Sequence, residues 1–551
     1  MRILSAFFRW LCPCAAAVGL PLLCSGADQP ENVVLQYHFL GATQLARNPD
    51  VAVAKKVFAL RSTFAFENLV LNRLTRSAAK SLYFPTNAET VALLRPFLDS
   101  LLLSESMLSV GGASGKPLDF VLAIQLDKNR AQIWQHDLKT INQGPGEELR
   151  AETFSGWQWN KGARNSFWMV PAGDWLVVGR GEGLASVRSD YLQQIQKSGR
   201  PGPALDFNCF EADVDWPRLA NWISLSSCPL KLGRTQMAIS MEKRNFHMTC
   251  QVTYGEAIQW QSRPWRIPTT LVREPLVSFA TGQDVEPFLK SDETLASFCT
   301  NPLRDQFYIW SMNEMPLQTY MVWPVDNPSD TLKQLSSQVL AALNPKLQAL
   351  NGTQLIWDPK AMQILWAKVP LTVPNLQRAP EAEGQFLAAG LFPWTLGKKP
   401  APNALWEQFK GRTDLVYYDW ELTGPRLREL RSVVQILPIL QMLGVGPDKP
   451  FEAGKSPAKP GVQSPADLVA GARLNVEEQW LAGLSLLLGN TVTEVTKTGP
   501  AELTIIRNSP FVFTSLELVL LSHWLTDTPA GPVNYSLLPQ AKISGPGIPS
   551  H

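Results

Sequence analysis

The chain has little charge imbalance and few cysteines or histidines. Its 551 residues carry 50 Lys and Arg against 48 Asp and Glu, a formal net charge of +2 at pH 7, with 7 Cys and 5 His. So small a net charge produces no strong field, and no basic stripe interleaves with aromatic residues, which argues against nucleic-acid binding. No CxxC pair or Cys/His cluster suggests zinc. We expect no metal and no other cofactor.

The sequence also lacks the signatures of several large enzyme classes. It contains no HExxH, no G-x-S-x-G and no G-x-G-x-x-G motif, which excludes the common forms of zinc protease, α/β-hydrolase and dinucleotide-binding sites. After residue 27 no apolar run reaches the roughly 20 residues that a membrane-spanning helix needs. The mature chain is therefore predicted to have no transmembrane segment.

Residues 1–27 are typical of a secretory signal peptide. Arg2 begins a positively charged start, residues 11–23 are largely apolar, and small residues stand at positions 25 and 27, which suits cleavage before Asp28. The sequence therefore predicts an exported protein, either periplasmic or extracellular. A lipoprotein attached through Cys24 is the less favoured alternative, because small residues do not precede that cysteine.

Four cysteines remain after the predicted cleavage, and an exported chain can keep disulfides. Cys209 and Cys250 lie in apolar, strand-like patterns, which favours buried free thiols. The sequence alone leaves the pairing open among Cys209, Cys228, Cys250 and Cys299.

Five short landmarks occur twice in this chain, in the same order. Self-similarity of this kind predicts a duplicated architecture. We expect a first α/β repeat at residues 28–261, an extended linker strap at 262–275 and a second α/β repeat at 276–530. The landmarks are Val33–Phe39 before Gly41 with Leu276–Ala280 before Gly282; Pro117–Asp127 with Pro316–Asp326; Trp159 and Trp168 with Trp357 and Trp366; Gly173–Gly179 with Gly384–Gly390; and Pro217–Leu219 with Pro425–Leu427.

Segments with strand and helix patterns alternate in both predicted repeats. The sequence therefore predicts a mixed α+β fold in which each half is a mostly antiparallel or mixed sheet with covering helices. Residues 444–467 are rich in Pro, Gly and Lys and lack apolar periodicity. Like the tail at 531–551, they are predicted to be flexible. A ligand would be expected between the two halves.

Three acidic residues alternate along one predicted strand, and they are the best catalytic candidates in the sequence. Glu211, Asp213 and Asp215 would share a face with about 7 Å between neighbours, and paired carboxylates can divide acid and base duties. Asp419 is expected at a similar place in the second half. The favoured alternative is a set of charges guarding a strand edge, since no nucleophile stands nearby.

The 19 tryptophans include two pairs with the same spacing. Trp159 and Trp168 are expected to meet across a hairpin, and Trp357 and Trp366 are expected to do the same. Such pairs are candidates for an aromatic binding platform, although packing in the core is the favoured interpretation.

Arg218 and Arg426 recur at two predicted helix starts. A cation at that end of a helix opposes the helix dipole. We therefore expect each arginine to pair either with a bound ligand or, in the favoured interpretation, with a structural carboxylate.

The stretch at 415–426, LVYYDWELTGPR, together with the signal and the overall plan, resembles large exported proteins of unknown function from Verrucomicrobia and Planctomycetes-like bacteria. The resemblance implies a cell-envelope location and no particular activity, cofactor or catalytic residue. We expect a non-catalytic exported scaffold or binding protein whose partner is another envelope protein or a glycan. The alternative is an envelope hydrolase that acts on a polymer through the carboxylates at 211, 213 and 215.

Overall fold

The computed structural model describes residues 32–81, 84, 87–112, 118–142, 146–151, 153–160, 166–219, 233–260, 263–284, 306–313, 318–349, 354–367, 373–379, 385–394, 399–442 and 465–526. The predicted signal peptide at 1–27, the predicted flexible tail, Cys228, Cys299 and all but the last three residues of the predicted flexible insertion lie outside the described residues.

The described part of the first half contains ten strands and seven helices. Its strands are β1 Val33–Phe39, β2 Ser106–Gly111, β3 Asp119–Gln125, β4 Glu147–Ala151, β5 Phe154–Asn160, β6 Ser166–Ala172, β7 Trp175–Arg180, β8 Asn208–Asp215, β9 Arg234–Glu242 and β10 Asn245–Thr253. Its helices are α1 Ala42–Leu45, α2 Ala52–Phe58, α3 Arg61–Ser81, α4 Ala88–Leu103, α5 Lys128–Ile141, α6 Ala185–Ser198 and α7 Trp216–Leu219, with a 3-10 turn at Pro49–Val51.

The second half has a similar sequence of elements after the short strand β11 Arg273–Glu274. Its other strands are β12 Leu276–Gly282, β13 Phe307–Met312, β14 Thr319–Pro324, β15 Gln354–Asp358, β16 Gln363–Ala367, β17 Asn375–Arg378, β18 Phe386–Gly390, β19 Lys399–Pro400, β20 Leu415–Leu422, β21 Asn490–Gly499 and β22 Glu502–Ser509. Its helices are α8 Pro328–Ala349, α9 Asn403–Trp406, α10 Thr423–Met442, α11 Pro465–Ser485 and α12 Ser515–Thr526.

The two halves have the same order of strands, and every pairing is antiparallel. The first half runs β10-β9-β8-β1-β2-β3-β7-β6-β5-β4. The second half runs β22-β21-β20-β12-β13-β14-β18-β17-β16-β15. The mixed α+β fold is therefore confirmed, with a mostly antiparallel sheet in each half.

Two β-bulges also lie at corresponding places in the two halves. One falls between Val33 and Leu35 of β1 and, in the second half, between Leu276 and Ser278 of β12. The other falls between Asn208 and Phe210 of β8 and between Leu415 and Tyr417 of β20. A bulge shifts the pairing register and bends its strand, so its recurrence aligns the halves residue by residue.

Strands β10 and β22 join the halves into one sheet of 20 strands. They pair antiparallel from Phe246 opposite Ser509 to Thr253 opposite Glu502. The halves therefore meet edge to edge. Both strands become interior, which removes two of the exposed edges that invite aggregation.

Helices cover one face of this sheet along its length, here called the helix face. The outer strands of each half, β2–β7 and β13–β18, are here called the first arm and the second arm. In the first arm, Leu94 of α4 and Trp134 of α5 pack with Ile124 and Leu176. In the second arm α8 covers the same face. At the centre α2 and α3 of the first half pack with α10, α11 and α12 of the second in one apolar cluster, where Phe66 of α3 stacks on Trp480 of α11.

Among the described residues, the opposite face is covered in its outer parts. In the first arm α6 packs on it through Leu192 and Ile195. In the second arm the segment at 263–272 and α9 lie over it, and Leu271 and Val272 are buried against Trp310. Burial on both faces explains why β3 reads as a continuous apolar run.

Candidate functional site

The three predicted carboxylates lie on one face of β8, as the alternation predicts. Glu211, Asp213 and Asp215 are half-buried, while Ala212 and Val214 between them are buried. However, β8 pairs with β1 on one side and β9 on the other. The interpretation as charges guarding a strand edge is therefore wrong, because β8 is an interior strand.

Each of these carboxylates is engaged by a neighbouring group. Arg234 donates two hydrogen bonds to Asp213, at 3.0 and 2.7 Å, and Gln236 donates a third at 3.0 Å. Asp215 accepts from the backbone N–H of Arg218 at 3.0 Å and so caps α7. The side chain of Asn208 donates to Glu211 at 2.7 Å. The three groups have separate partners, an arrangement suited to fixing loops and strands.

Asp419 does not lie at a place similar to these carboxylates, and that expectation is wrong. When residues are numbered from the bulge that β1 and β12 share, Tyr37 in the first half corresponds to Ala280 in the second. Tyr37 pairs with Ala212 on β8, and Ala280 pairs with Asp419 on β20. Asp419 therefore corresponds to Ala212 and lies on the helix face. An offset of one residue moves a strand side chain to the other face.

The expected meeting of Trp159 and Trp168 across a hairpin is also wrong. They lie on β5 and β6, but Trp159 pairs with Phe167 and Trp168 pairs with Gln158. The two indoles consequently point to opposite faces, and both are buried in separate apolar clusters. These contacts fit core packing.

The second tryptophan pair is not the counterpart of the first. Trp357 and Trp366 lie on β15 and β16, one strand further out than β5 and β6. In the corresponding ladders Gly179 pairs with Trp168, whereas Gly390 pairs with Asn375. Trp357 pairs with Ile364, so it shares the helix face with Trp366.

Arg218 and Arg426 lie at corresponding helix starts, directly after β8 and β20, but they have different partners. Arg218 donates to the carbonyl of Val33 at 3.3 Å and lies 3.8 Å from Asp215. Arg426 donates to Ser311 at 2.6 Å and to Glu429 at 2.8 Å. Both arginines tie a helix to the sheet of their own half.

The structure reveals a polar surface that the sequence reasoning missed, here called the central face. It lies opposite the helix face on β8, β9, β10, β22 and β21, and most of its side chains are half-buried or exposed. Along β22 exposed Ile506 and Asn508 alternate with buried Ile505 and Arg507. Its side chains are Glu211, Asp213, Gln236, Ala238, Ser240, His247, Thr249, Gln251, Val492, Glu494, Thr496, Thr504, Ile506 and Asn508.

A hydrogen bond crosses the join on this surface. The Nδ1 atom of His247 on β10 lies 2.7 Å from the side-chain oxygen of Asn508 on β22. The central face is therefore continuous across the two halves. Seven of its fourteen side chains are uncharged hydroxyls and amides, which can both donate and accept hydrogen bonds.

Two similar turns flank the central face. Gly199 and Gly411 adopt φ angles of 79° and 74°, a conformation that glycine favours, and an arginine follows each. Arg200 donates to Glu105, and Arg412 donates to Glu494 at 2.8 Å. The side chains of these arginines are 33% and 32% exposed, so both are partly accessible to solvent.

A buried carboxylate anchors the first of these turns. Glu105 lies 2.9 Å from Nε2 of His38 and accepts from Gln44 at 3.1 Å, as well as from Arg200. Burial acts to raise the pKa of Glu105, but the hydrogen bond from His38 and the charge on Arg200 outweigh it, and the pKa lies below its ordinary value. His38 pairs with Glu211 in the ladder, which places this cluster at the margin of the central face.

A second polar cluster lies around Asp419 on the helix face; Asp419 itself is half-buried, while Glu421, Arg507, Ser515 and Glu517 beside it are buried. Arg507 donates to the two carboxylate oxygens of Glu517 at 2.7 and 3.0 Å. Glu421 accepts from the backbone N–H and the hydroxyl of Ser515 at 2.7 and 2.6 Å. Burial, and then the negative charge of Glu421, raise the pKa of Asp419 to about 8.

The described residues include no group of metal ligands and no exposed cysteine. Within the ranges given above, no group of three His, Cys, Asp or Glu side chains is arranged to hold a metal ion. Cys209 and Cys250 are both buried, as the apolar patterns predict. Burial raises the pKa of the Cys209 thiol to about 12, which makes it a poor nucleophile.

Comparison of the chain with protein-family models, curated proteins and solved structures gave no match. Among the described helices none has the length and apolar character needed to cross a bilayer.

Proposed function

We propose that this chain is a non-catalytic binding or scaffold protein exported to the bacterial cell envelope, built from two copies of one module. The signal-like residues 1–27 support export. The common strand order and the two recurring bulges support a tandem copy, because bulges are conserved features of related strands.

The central face is the proposed binding surface. The observation that carries this proposal is its position: it straddles the join, and nine of its eleven polar side chains are half-buried or exposed (Thr249 and Thr496 are buried), whereas the outer parts of the sheet are covered on both faces. Seven of its side chains are amides or hydroxyls; of its three carboxylates, Asp213 and Glu494 are each paired with an arginine, and Glu211 accepts a hydrogen bond from Asn208. Such a surface complements an uncharged, hydroxyl-rich partner, and we propose a glycan chain.

A hydrolase acting through the β8 carboxylates has less support. General acid and base catalysis needs two groups held in different protonation states near one bond. Asp213 is bound by Arg234, and Asp215 is used as a helix cap. Neither is free to exchange a proton with a substrate without giving up a structural contact.

Co-sedimentation with insoluble cellulose and chitin tests the proposal, using residues 28–551. Ser240→Arg and Gln251→Arg place a bulky charge on half-buried positions of the central face, and each should weaken glycan binding at least about tenfold. Glu89→Arg, an exposed change on α4, is the matched control and should bind as the wild type does.

Two results would contradict this function. One is wild-type protein that sediments with neither glycan, or central-face variants that bind unchanged, which would leave an envelope protein as the candidate partner. The other is release of reducing ends that Asp213→Asn abolishes, which would establish the hydrolase instead.

A further inference from the structure

The last described helix, α12, packs Leu518 and Val519 among the other central helices and contacts the sheet through buried polar groups. Its first turn donates two hydrogen bonds from Ser515 to Glu421 on β20. Its Glu517 forms the paired contact with Arg507 on β22 and also accepts from the backbone N–H of Thr514 at 2.8 Å. These side chains are all buried, so the docking depends on charges held away from water.

This polar cluster has no counterpart in the first half. The positions of Asp419 and Glu421 correspond to Ala212 and Val214. The position of Arg507 corresponds to that of Cys250. In the first half Ala212 pairs with Met237, which pairs with Cys250. In the second half Asp419, the counterpart of Ala212, pairs with Thr493, which pairs with Arg507. The first half therefore forms the same fold with small or apolar residues at the positions that correspond to Asp419, Glu421 and Arg507. The charges belong to the docking of α12.

The cluster contains more carboxylates than cations. Asp419 faces Tyr417 and Glu421 on its own strand, Arg507 on β22, Glu517 on α12 and Arg426 on α10. Arg507 is bound to Glu517, and Arg426 is bound to Ser311 and Glu429. No described group donates a hydrogen bond to Asp419. A third negative charge placed here would repel the two carboxylates that hold α12.

We infer that α12 is a proton-dependent latch: it stays docked while the carboxyl of Asp419 carries a proton, and loss of that proton loosens it from the sheet. Burial and the charge of Glu421 raise the pKa of Asp419 to about 8 in the docked state. Undocking returns the group toward its ordinary value of 3.8. The docked state therefore binds the proton more tightly than the undocked state does. The contribution of Asp419 to the stability of docking is complete below about pH 4, falls as the pH rises from about 4 to about 8, and is lost above about pH 8.

Hydrogen exchange of residues 28–551 at pH 5 and pH 8 tests the latch, with rates corrected for intrinsic exchange. In the wild type, the protection factors of amides in α12 should fall at least about tenfold between pH 5 and pH 8, while those of β3 and β7 stay constant. In Asp419→Asn, which is neutral at both values, protection of α12 should be the same at both.

The control and the contrary outcomes are defined by the same measurement. Asp213→Asn, on the other face of the sheet, should keep the wild-type pH response. Constant protection of α12 in the wild type would overturn the inference without any variant. The same loss in Asp419→Asn, or in Asp419→Ser if the amide variant does not fold, would assign the response to a group other than Asp419 and overturn the inference.

Discussion

Thr249 on β10 lies directly opposite Ile506 on β22, and each occupies the same position in its own half. On either side of this pair, equivalent residues of the two halves exchange partners. The join is thus organised like the interface of a symmetric dimer, in which one patch pairs with its own copy. A pseudo-twofold axis passes through the centre of the central face, so a partner bound there would contact both halves.

The two faces of strand β10 should respond very differently to the same substitution. Cys250→Asp would place an unpaired charge on the buried helix face and should lower the free energy of unfolding by about 3 kcal/mol or more. Gln251→Asp, one residue on and half-exposed, should change it by less than about 1 kcal/mol. Urea unfolding of both variants measures this, and equal losses would contradict the assignment of faces.

Replacing Glu517 alone should lower the free energy of unfolding much more than replacing both Arg507 and Glu517. Glu517→Met leaves the charge of Arg507 without its carboxylate partner and should destabilise the fold by about 3–5 kcal/mol. In the double variant with Arg507→Met, most of that loss should be recovered, because neither charge remains buried. A double-mutant cycle by chemical unfolding gives the coupling energy, and simple additivity of the single effects would refute the pairing.

The stacked rings of Phe66 and Trp480 hold the first half to the helices of the second. Their centroids are 4.0 Å apart with an interplanar angle of 3°. Trp480→Ala should cost about 3–5 kcal/mol, since it removes a large buried side chain from the cluster. Thermal unfolding should show one transition at lower temperature. Exposed Phe64→Ala is the control and should have little effect.

Asp419 should make the stability of the whole protein fall as pH rises. Its pKa of about 8 in the folded state lies above the ordinary value of 3.8, so its contribution is complete below about pH 4 and declines up to about pH 8. Asp419→Asn removes this dependence. The variant should melt at least about 2 °C above the wild type at pH 8, with a smaller difference at pH 5; an equal difference at both values would contradict the raised pKa.

A side chain of α8 covers part of the outer edge of the second arm. Asn344 donates to the carbonyl of Leu355 at 3.0 Å and accepts from its N–H at 2.7 Å, which occupies groups that could otherwise pair with another strand. Asn344→Ala should destabilise the fold by about 1–2 kcal/mol and promote association. Light scattering over a concentration series measures this association. Ser337→Ala, elsewhere on α8, should remain like the wild type.

Local patterns in the sequence were enough to place most helices and many strands. Apolar periodicity predicts α3, α4 and α5 within a few residues, and the side chain of Asn87 caps α4 by accepting a hydrogen bond from the backbone N–H of Thr90. The sequence reasoning missed β2 and β4. β2 follows α4 after only two residues, without a strong turn signal between them, and β4 is a short, charged strand at an edge.

Register could not be read from the sequence because it depends on long-range pairing. Asp419 is in an alternating strand like Asp213, yet counting from the bulges places it on the other face. The two tryptophan pairs have the same spacing in the sequence, but the second pair lies one strand further from the centre of the sheet than the first. The central face was missed for the same reason, since its residues come from strands far apart in the chain.

An experimental structure of residues 28–551 tests the central claim most directly, namely that two copies of one module join through their last strands. The account predicts that residues 33–253 superpose on 276–509 with the same strand order and both bulges, and that Thr249 lies opposite Ile506. Different strand orders in the two halves, or strands β10 and β22 that do not pair, would contradict it.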